Sequence, residues 1–165
     1  GGGGNTGKWI GHKGTFLEGG LRVPAIISYP ARLPHGAVRN QAITAMDWYP
    51  TILDLCDVDR PDVHLDGKSV LPLIESAEAE SRHPVLYFQW QNKWAVREGD
   101  WKLIGNPLDT SESQMTRQGS GRLKEQLFLV NLADDISEQT NVAEEHAEIV
   151  QRLKAHRDEL VAELR

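Results

Sequence analysis

The sequence predicts an α/β chain in two parts: a strand and helix first, then a small antiparallel sheet with a helix laid across it. Three observations carry this. Residues 21–29 form a mostly apolar run (Val23, Ala25, Ile26, Ile27), the pattern of a strand buried on both faces. Residues 85–104 break instead into short strand-like runs separated by turn residues. From about Glu144 onward, Ile149, Val150, Leu153, Leu160, Val161 and Leu164 recur at helical spacing among charges.

In chain order, four glycines open the sequence and offer nothing to pack, so the start reads as a loop cut open. Residues 11–24, GHKGTFLEGGLRVP, follow as a turn-rich loop carrying His12, Lys13, Glu18 and Arg22 among Gly11, Gly14, Gly19 and Gly20. Such a loop is suited to presenting a cation to an anion. The apolar strand comes next and ends at Pro30 and the turn residues Pro34, His35 and Gly36. Strands buried on both faces belong to parallel sheets covered by helices, so further strands are expected upstream. Asp47 can cap a helix with Pro50 in its first turn, and Tyr49, Ile52, Leu53 and Cys56 share a face predicted to cover the strand. Residues 57–68 are polar, 70–74 are apolar, and 75–80 are acidic, which sets a boundary near 76–82. Beyond it, runs at 85–90, 94–97 and 101–104, with a turn at Glu98, Gly99 and Asp100, predict an antiparallel meander. Residues 106–125 read as a long surface loop, and 127–132 resume an extended pattern.

The chain's 165 residues, at 39% hydrophobic, suffice for a real core. Net charge is -6, yet residues 1–40 hold Lys8, Lys13, Arg22, Arg32 and Arg39 against Glu18 alone, a local +4 that leaves -10 for the remainder. An acidic remainder without a basic, aromatic-interleaved stripe argues against nucleic acid as a partner. No apolar run approaches the roughly 20 residues that span a bilayer, so no membrane segment is expected. A single cysteine, Cys56, excludes an internal disulfide and a multi-cysteine zinc site. Compartment stays open, with periplasm or exterior favoured over cytoplasm for a bacterial source.

Several motifs are decoys. Gly2 to Lys8 fits GxxxxGK, but Trp9 stands where a phosphate-binding loop needs Ser or Thr, so a flexible glycine loop is the better reading. The six histidines form no pair at metal-ligand spacing. Trp90, Trp94 and Trp101 fall on adjacent strands, as a sheet core requires, with one or two able to reach a substrate at an edge.

The opening loop matches a family pattern as a whole. HKGTFLEGGLRVPAIISYP strongly resembles the lysine-bearing KGxxxEGGxRVP segment of type I sulfatases, arylsulfatase-like members of the alkaline phosphatase superfamily. MDWYPTILDLC, DGKSVLPLI, AVREGDWKLI and LFLVNLADDISEQTNVA resemble, in the same order, that family's DxxPTLLDLAG, DGxSLLPLL, AVRDGxYKLI and LYDLxxDPxExxNLA segments. Gly7, Lys8 and Trp9 also resemble the family's GKWHLG element, but Ile10 and Gly11 depart from it, so Lys13 rather than Lys8 is carried over.

The resemblance implies that the chain is the C-terminal part of a sulfatase. Residues 1–80 would end its alkaline-phosphatase-like α/β domain, and residues 81–165 would form the sheet-plus-helix subdomain. It implies Lys13 as a residue that binds the sulfate and stabilises the leaving oxygen, and His12 as a second substrate-binding candidate, a solvated loop histidine being the alternative. Gly14, Gly19 and Gly20 would shape the loop, and Glu18 and Arg22 would have structural roles. Calcium and a formylglycine made from a Cys or Ser are implied, both held upstream of this chain. Cys56, with Val58 and Arg60, keeps only part of the CxPxR element that yields formylglycine, so a core cysteine is expected there. The implied partners are a sulfate ester, small molecule or sulfated carbohydrate, and the missing N-terminal part of its own chain. Two alternatives stay open: a phosphonate or phosphate ester hydrolase of the same superfamily, and a non-catalytic interaction module.

Overall fold

A computed structural model describes residues 5–106 and 127–163. The chain divides into two compact units, one made of Gly1–Pro24 with Val85–Arg165 and the other of Ala25–Pro84. The reason is packing: the opening segment contributes Leu17, Ile10 and Phe16 to the core of the sheet rather than to the residues that follow it in sequence.

In the first unit, β1 (Val85–Trp90), β2 (Lys93–Glu98), β3 (Trp101–Gly105) and β4 (Leu127–Asn131) form an antiparallel meander in the order 1-2-3-4. Trp90 pairs with Lys93 and Glu98 with Trp101, so both described hairpins close through two residues, the second with Gly99 at φ 57°. Alternation sends Ala95, Ile104, Phe128 and Val130 to one face, where Leu17 and Leu132 join them. Trp94, Val96, Leu103 and Leu129 face the other side, under Ile149 and Leu153 of the terminal helix α4 (Ala147–Glu163). The expected meander and closing helix are therefore present, with the sheet covered on both faces. Trp94 is core, Trp101 packs against the core, and Trp90 is 51% exposed. Leu164 and, apart from Asn106, the loop expected at 106–125 lie outside the described residues.

The segment after β4 completes the sheet's edge with a side chain. Asn141 Oδ1 accepts the Leu129 N–H (2.9 Å) and its Nδ2 donates to the Leu127 carbonyl (3.1 Å), while the Val142 N–H donates to the Leu129 carbonyl (3.0 Å). Asp135 shapes the turn before it by accepting the N–H groups of Gln139 (2.5 Å) and Thr140 (2.8 Å). Capping unpaired strand amides in this way leaves less open edge for other chains.

In the second unit, η1 (Ala45–Asp47) leads into α2 (Trp48–Leu55), and α3 (Leu71–Glu75) follows. Leu33, Leu55 and Leu71 form its core with Ile27 and Ile74. Asp47, wholly buried, accepts the N–H groups of Thr44 (2.6 Å) and Lys68 (2.8 Å) and meets His83 Nε2 at 2.8 Å. Thr51 Oγ1 donates to the Asp47 carbonyl (2.5 Å) and accepts the Val70 N–H (2.9 Å). Arg32 and Arg39 donate to the carbonyls of Leu55 (2.8 Å) and Leu73 (2.7 Å), the sign of charge that helix C-termini favour.

Three expectations are corrected here. Residues 22–29 form no strand: Val23 is 78% and Ile26 92% exposed, and no described segment runs beside them to supply ladder hydrogen bonds. The buried face of α2 is Pro50, Thr51 and Leu55, whereas Tyr49 and Ile52 are more than half exposed. The Thr51 and Asp47 tethers select that face, and the sequence is apolar enough around the helix to fit either. Cys56 consequently lies exposed just past α2 rather than in a core.

Candidate functional site

The loop at 10–22 is built by close backbone approach. Residues 12–15 make a turn in which the Thr15 N–H donates to the His12 carbonyl (3.0 Å) and Gly14 sits at φ 98°, a conformation that favours glycine. Thr15 Oγ1 stiffens the turn by donating to the His12 carbonyl (2.9 Å) and accepting the His12 N–H (3.2 Å). Lys13 occupies the tip and is exposed, with no ion pair among the described residues; His12, half-buried, forms its first corner. The structure thus brings the two predicted site residues together on one turn.

Both limbs of the loop meet at the single helical turn α1 (Glu18–Leu21). The Gly19 N–H donates to the Ile10 carbonyl (2.7 Å), and a Cβ there would lie 2.6 Å from that oxygen. A Cβ on Gly20 would lie 2.4 Å from the Thr15 carbonyl oxygen and 2.5 Å from that of His12. The EGG sequence is therefore the pinch that closes the loop, and Leu17, 4% exposed, plugs it into the sheet core.

Beneath the loop lies an ionic network that sequence reasoning missed. Lys102 of β3 is 1% exposed, and its Nζ donates to Glu18 Oε1 (2.8 Å) and Glu138 Oε1 (2.9 Å). Glu138 Oε2 accepts the Glu18 N–H at 2.6 Å. Arg22 Nε donates to Glu18 Oε2, an i, i+4 pair, and Arg97 Nη1 stands 3.6 Å from the same oxygen. Arg97 and Lys102 are direct cross-strand partners, an unfavourable apposition of like charges unless an anion lies between them, as Glu18 does.

Burial alone would push the Glu18 carboxyl up, but Lys102 and then Arg22 outweigh it and hold it below the usual carboxylate range. For Glu138 burial wins over the Lys102 charge, so its carboxyl is raised. A legible signal for this network exists: in WKLI, Lys102 fills an inward slot of the strand alternation.

Other polar features are structural. Burial pushes Asp47 up, yet the Lys68 and Thr44 N–H groups and His83 together hold it down. In the groove lined by Arg60, His64, Lys68 and Arg82, Arg60 is held by Asp54 (2.7 Å), His64 meets Asp66 (3.2 Å) and Lys68 donates to the Arg82 carbonyl (3.2 Å). Lys8 lies 5.9 Å from the Trp9 ring centroid, with Arg22 over the same ring at 5.1 Å. Among the described residues, no three His, Cys, Asp or Glu side chains are grouped to hold a metal ion.

Residues 8–163 match the family described as N-sulphoglucosamine sulphohydrolase, C-terminal. The chain is 41% identical over 87 residues to human arylsulfatase D, covering 52% of this chain and 15% of that protein. It is 36% identical over 101 residues to the dog N-acetylgalactosamine-6-sulfatase (61% and 19%) and 31% over 150 residues to a Schizosaccharomyces pombe protein named as an uncharacterized sulfatase (86% and 25%). Thus the chain spans about a quarter or less of these relatives. Among solved structures, a Bacteroides thetaiotaomicron protein from a study of glycosaminoglycan metabolism (BT33336S-sulf) superposes with a TM-score of 0.70 at 24% identity, covering 93% of this chain and 32% of that one. Ps i-CgsB in complex with k-i-k-neocarrahexaose does so with a TM-score of 0.69 at 22% identity, covering 92% and 31%. These two likenesses establish the fold.

Proposed function

This chain belongs to the N-sulphoglucosamine sulphohydrolase C-terminal family, and from that premise we propose that it is the C-terminal part of a sulfatase that cleaves sulfate esters to alcohol and inorganic sulfate. Its contribution to the reaction is Lys13. One observation carries this: an exposed ammonium at the tip of a glycine-shaped turn whose base is clamped to the sheet by buried charge. When the sulfur–oxygen bond to the alcohol breaks, the bonding pair goes to the alcohol oxygen. Lys13 binds the sulfuryl oxygens in the ground state and donates an N–H to that leaving oxygen as its charge grows. His12, at the corner of the same turn, is the second substrate contact in this reading.

In this reading residues 1–80 belong by sequence to the end of the catalytic α/β domain and 81–165 to its C-terminal subdomain, with residues 1–24 packed on the sheet of the latter. The nucleophile, a formylglycine made from Cys or Ser, and the calcium ligands belong to the preceding part of the protein. Among the described residues no three His, Cys, Asp or Glu side chains are grouped to hold that ion. Exposed Val23, Ile26, Val38, Tyr49 and Ile52 support packing of this segment against that preceding part. A sulfated carbohydrate is the favoured substrate class; the neocarrahexaose-bound CgsB of the same fold supports it.

The test is turnover of matched aryl sulfate and aryl phosphate esters by the full-length protein. Sulfate release should dominate, and Lys13→Ala should lower kcat for it by about a hundredfold. Dominant phosphate release would favour the phosphohydrolase alternative, and no turnover of either would favour the interaction module.

A further inference from the structure

We infer that Lys102, together with Glu18 and Glu138, is a positioning device that sets where Lys13 stands. The inference rests on the reading of Lys13 as the sulfate-binding cation. The turn carrying Lys13 is stiff within itself, through the three bonds between His12 and Thr15, and its two limbs lead down to a common base. Both limbs converge there: one runs through Leu17 into α1, and the other is tied at Ile10 to the Gly19 N–H. The base is α1, and Lys102 and Glu138 grip α1 at its first residue by side chain and backbone together. A shift of that grip moves the turn as a unit.

Three features favour positioning over plain stabilisation. Lys102 is 1% exposed in an inward strand slot where an apolar side chain of similar volume would avoid the cost of burying charge. Glu138 adopts φ 52°, a strained conformation for a side chain of this kind, and uses it to put both carboxylate oxygens to work. One oxygen accepts from the Lys102 ammonium and the other from the Glu18 N–H, so each bond constrains the other. A glutamine at 138 fills the same space but sets an N–H₂ against one of two donors. It therefore displaces α1 without opening a cavity.

The experiment uses the full-length protein and a series of aryl sulfates with leaving groups of graded basicity. Glu138→Gln and Lys102→Met should each lower kcat/KM by about tenfold on the poorest leaving groups and clearly less on the best, the signature of a misplaced Lys13. Combining either with Lys13→Ala should add little to the leaving-group dependence of Lys13→Ala alone. Equal losses across the series, or a lowered Tm with wild-type kcat in the folded fraction, would overturn the positioning role. If Lys102→Met does not fold, the volume-conserving Glu138→Gln decides. A steep response in Lys13→Ala with a flat one in both network variants defeats the positioning role alone. A flat response in Lys13→Ala defeats the reading of Lys13 and this inference with it.

Discussion

Removing the Lys102 ammonium would leave two buried carboxylates without the cation they share. Breaking a buried ionic cluster at one partner costs about 3–5 kcal/mol, so Lys102→Ala should lower the urea midpoint by that equivalent. A loss below about 1 kcal/mol would mean that Arg22 and Arg97 already neutralise the cluster. The same residues set opposite pH slopes. Glu18 is depressed in the fold, so its contribution is present above the unfolded carboxylate range and is lost as pH falls through its folded pKa. Glu138 is raised, so its contribution is present below the unfolded carboxylate range and is lost as pH rises from there through its higher folded pKa. Glu138→Gln removes the opposing slope. The fall in stability as pH rises above the unfolded carboxylate range should be absent in that variant, and its persistence would contradict the assignment. At this scale the sequence singled out Lys13 as a candidate because its neighbours form a recognisable string. It concealed the network because Glu18, Lys102 and Glu138 lie 84 and 36 residues apart, and only folding brings them together.

Glycine contacts decide how the elements join. A Cβ at Gly67 would lie 2.0 Å from the Met46 carbonyl oxygen, where the DGKS segment crosses η1, whereas Gly36 has open space at φ 63°. Gly67→Ala should therefore destabilise by about 2 kcal/mol or more, as overpacking against backbone does. Gly36→Ala should cost only about 1 kcal/mol of backbone strain. Thermal unfolding of the two variants checks the order, and equal shifts would contradict it. The meander was legible because Gly99 and the alternation around it are local signals. Residues 22–29 were not: an apolar run shows that a surface is to be covered, but a strand also needs a neighbouring backbone, which these residues lack among those described. The face of α2 was misread for a related reason, since hydrogen bonds from Thr51, rather than hydrophobicity, orient it.

For the whole molecule, the sheet unit is well covered on both faces, while the unit of residues 25–84 leaves Ile26, Val38, Tyr49 and Ile52 outward. In the sulfatase proposed above, that asymmetry marks a face on which the preceding part of the protein would pack. The purified 165-residue chain should accordingly release no sulfate from an aryl sulfate, and measurable turnover would show that it needs no upstream nucleophile. The central claim is that Lys13 assists the leaving oxygen, and its most direct measurement is the dependence of log kcat/KM on leaving-group pKa for full-length wild type and Lys13→Ala. The slope should become more negative in Lys13→Ala, with the loss concentrated on poor leaving groups. Parallel lines, with equal loss on every ester, would contradict it.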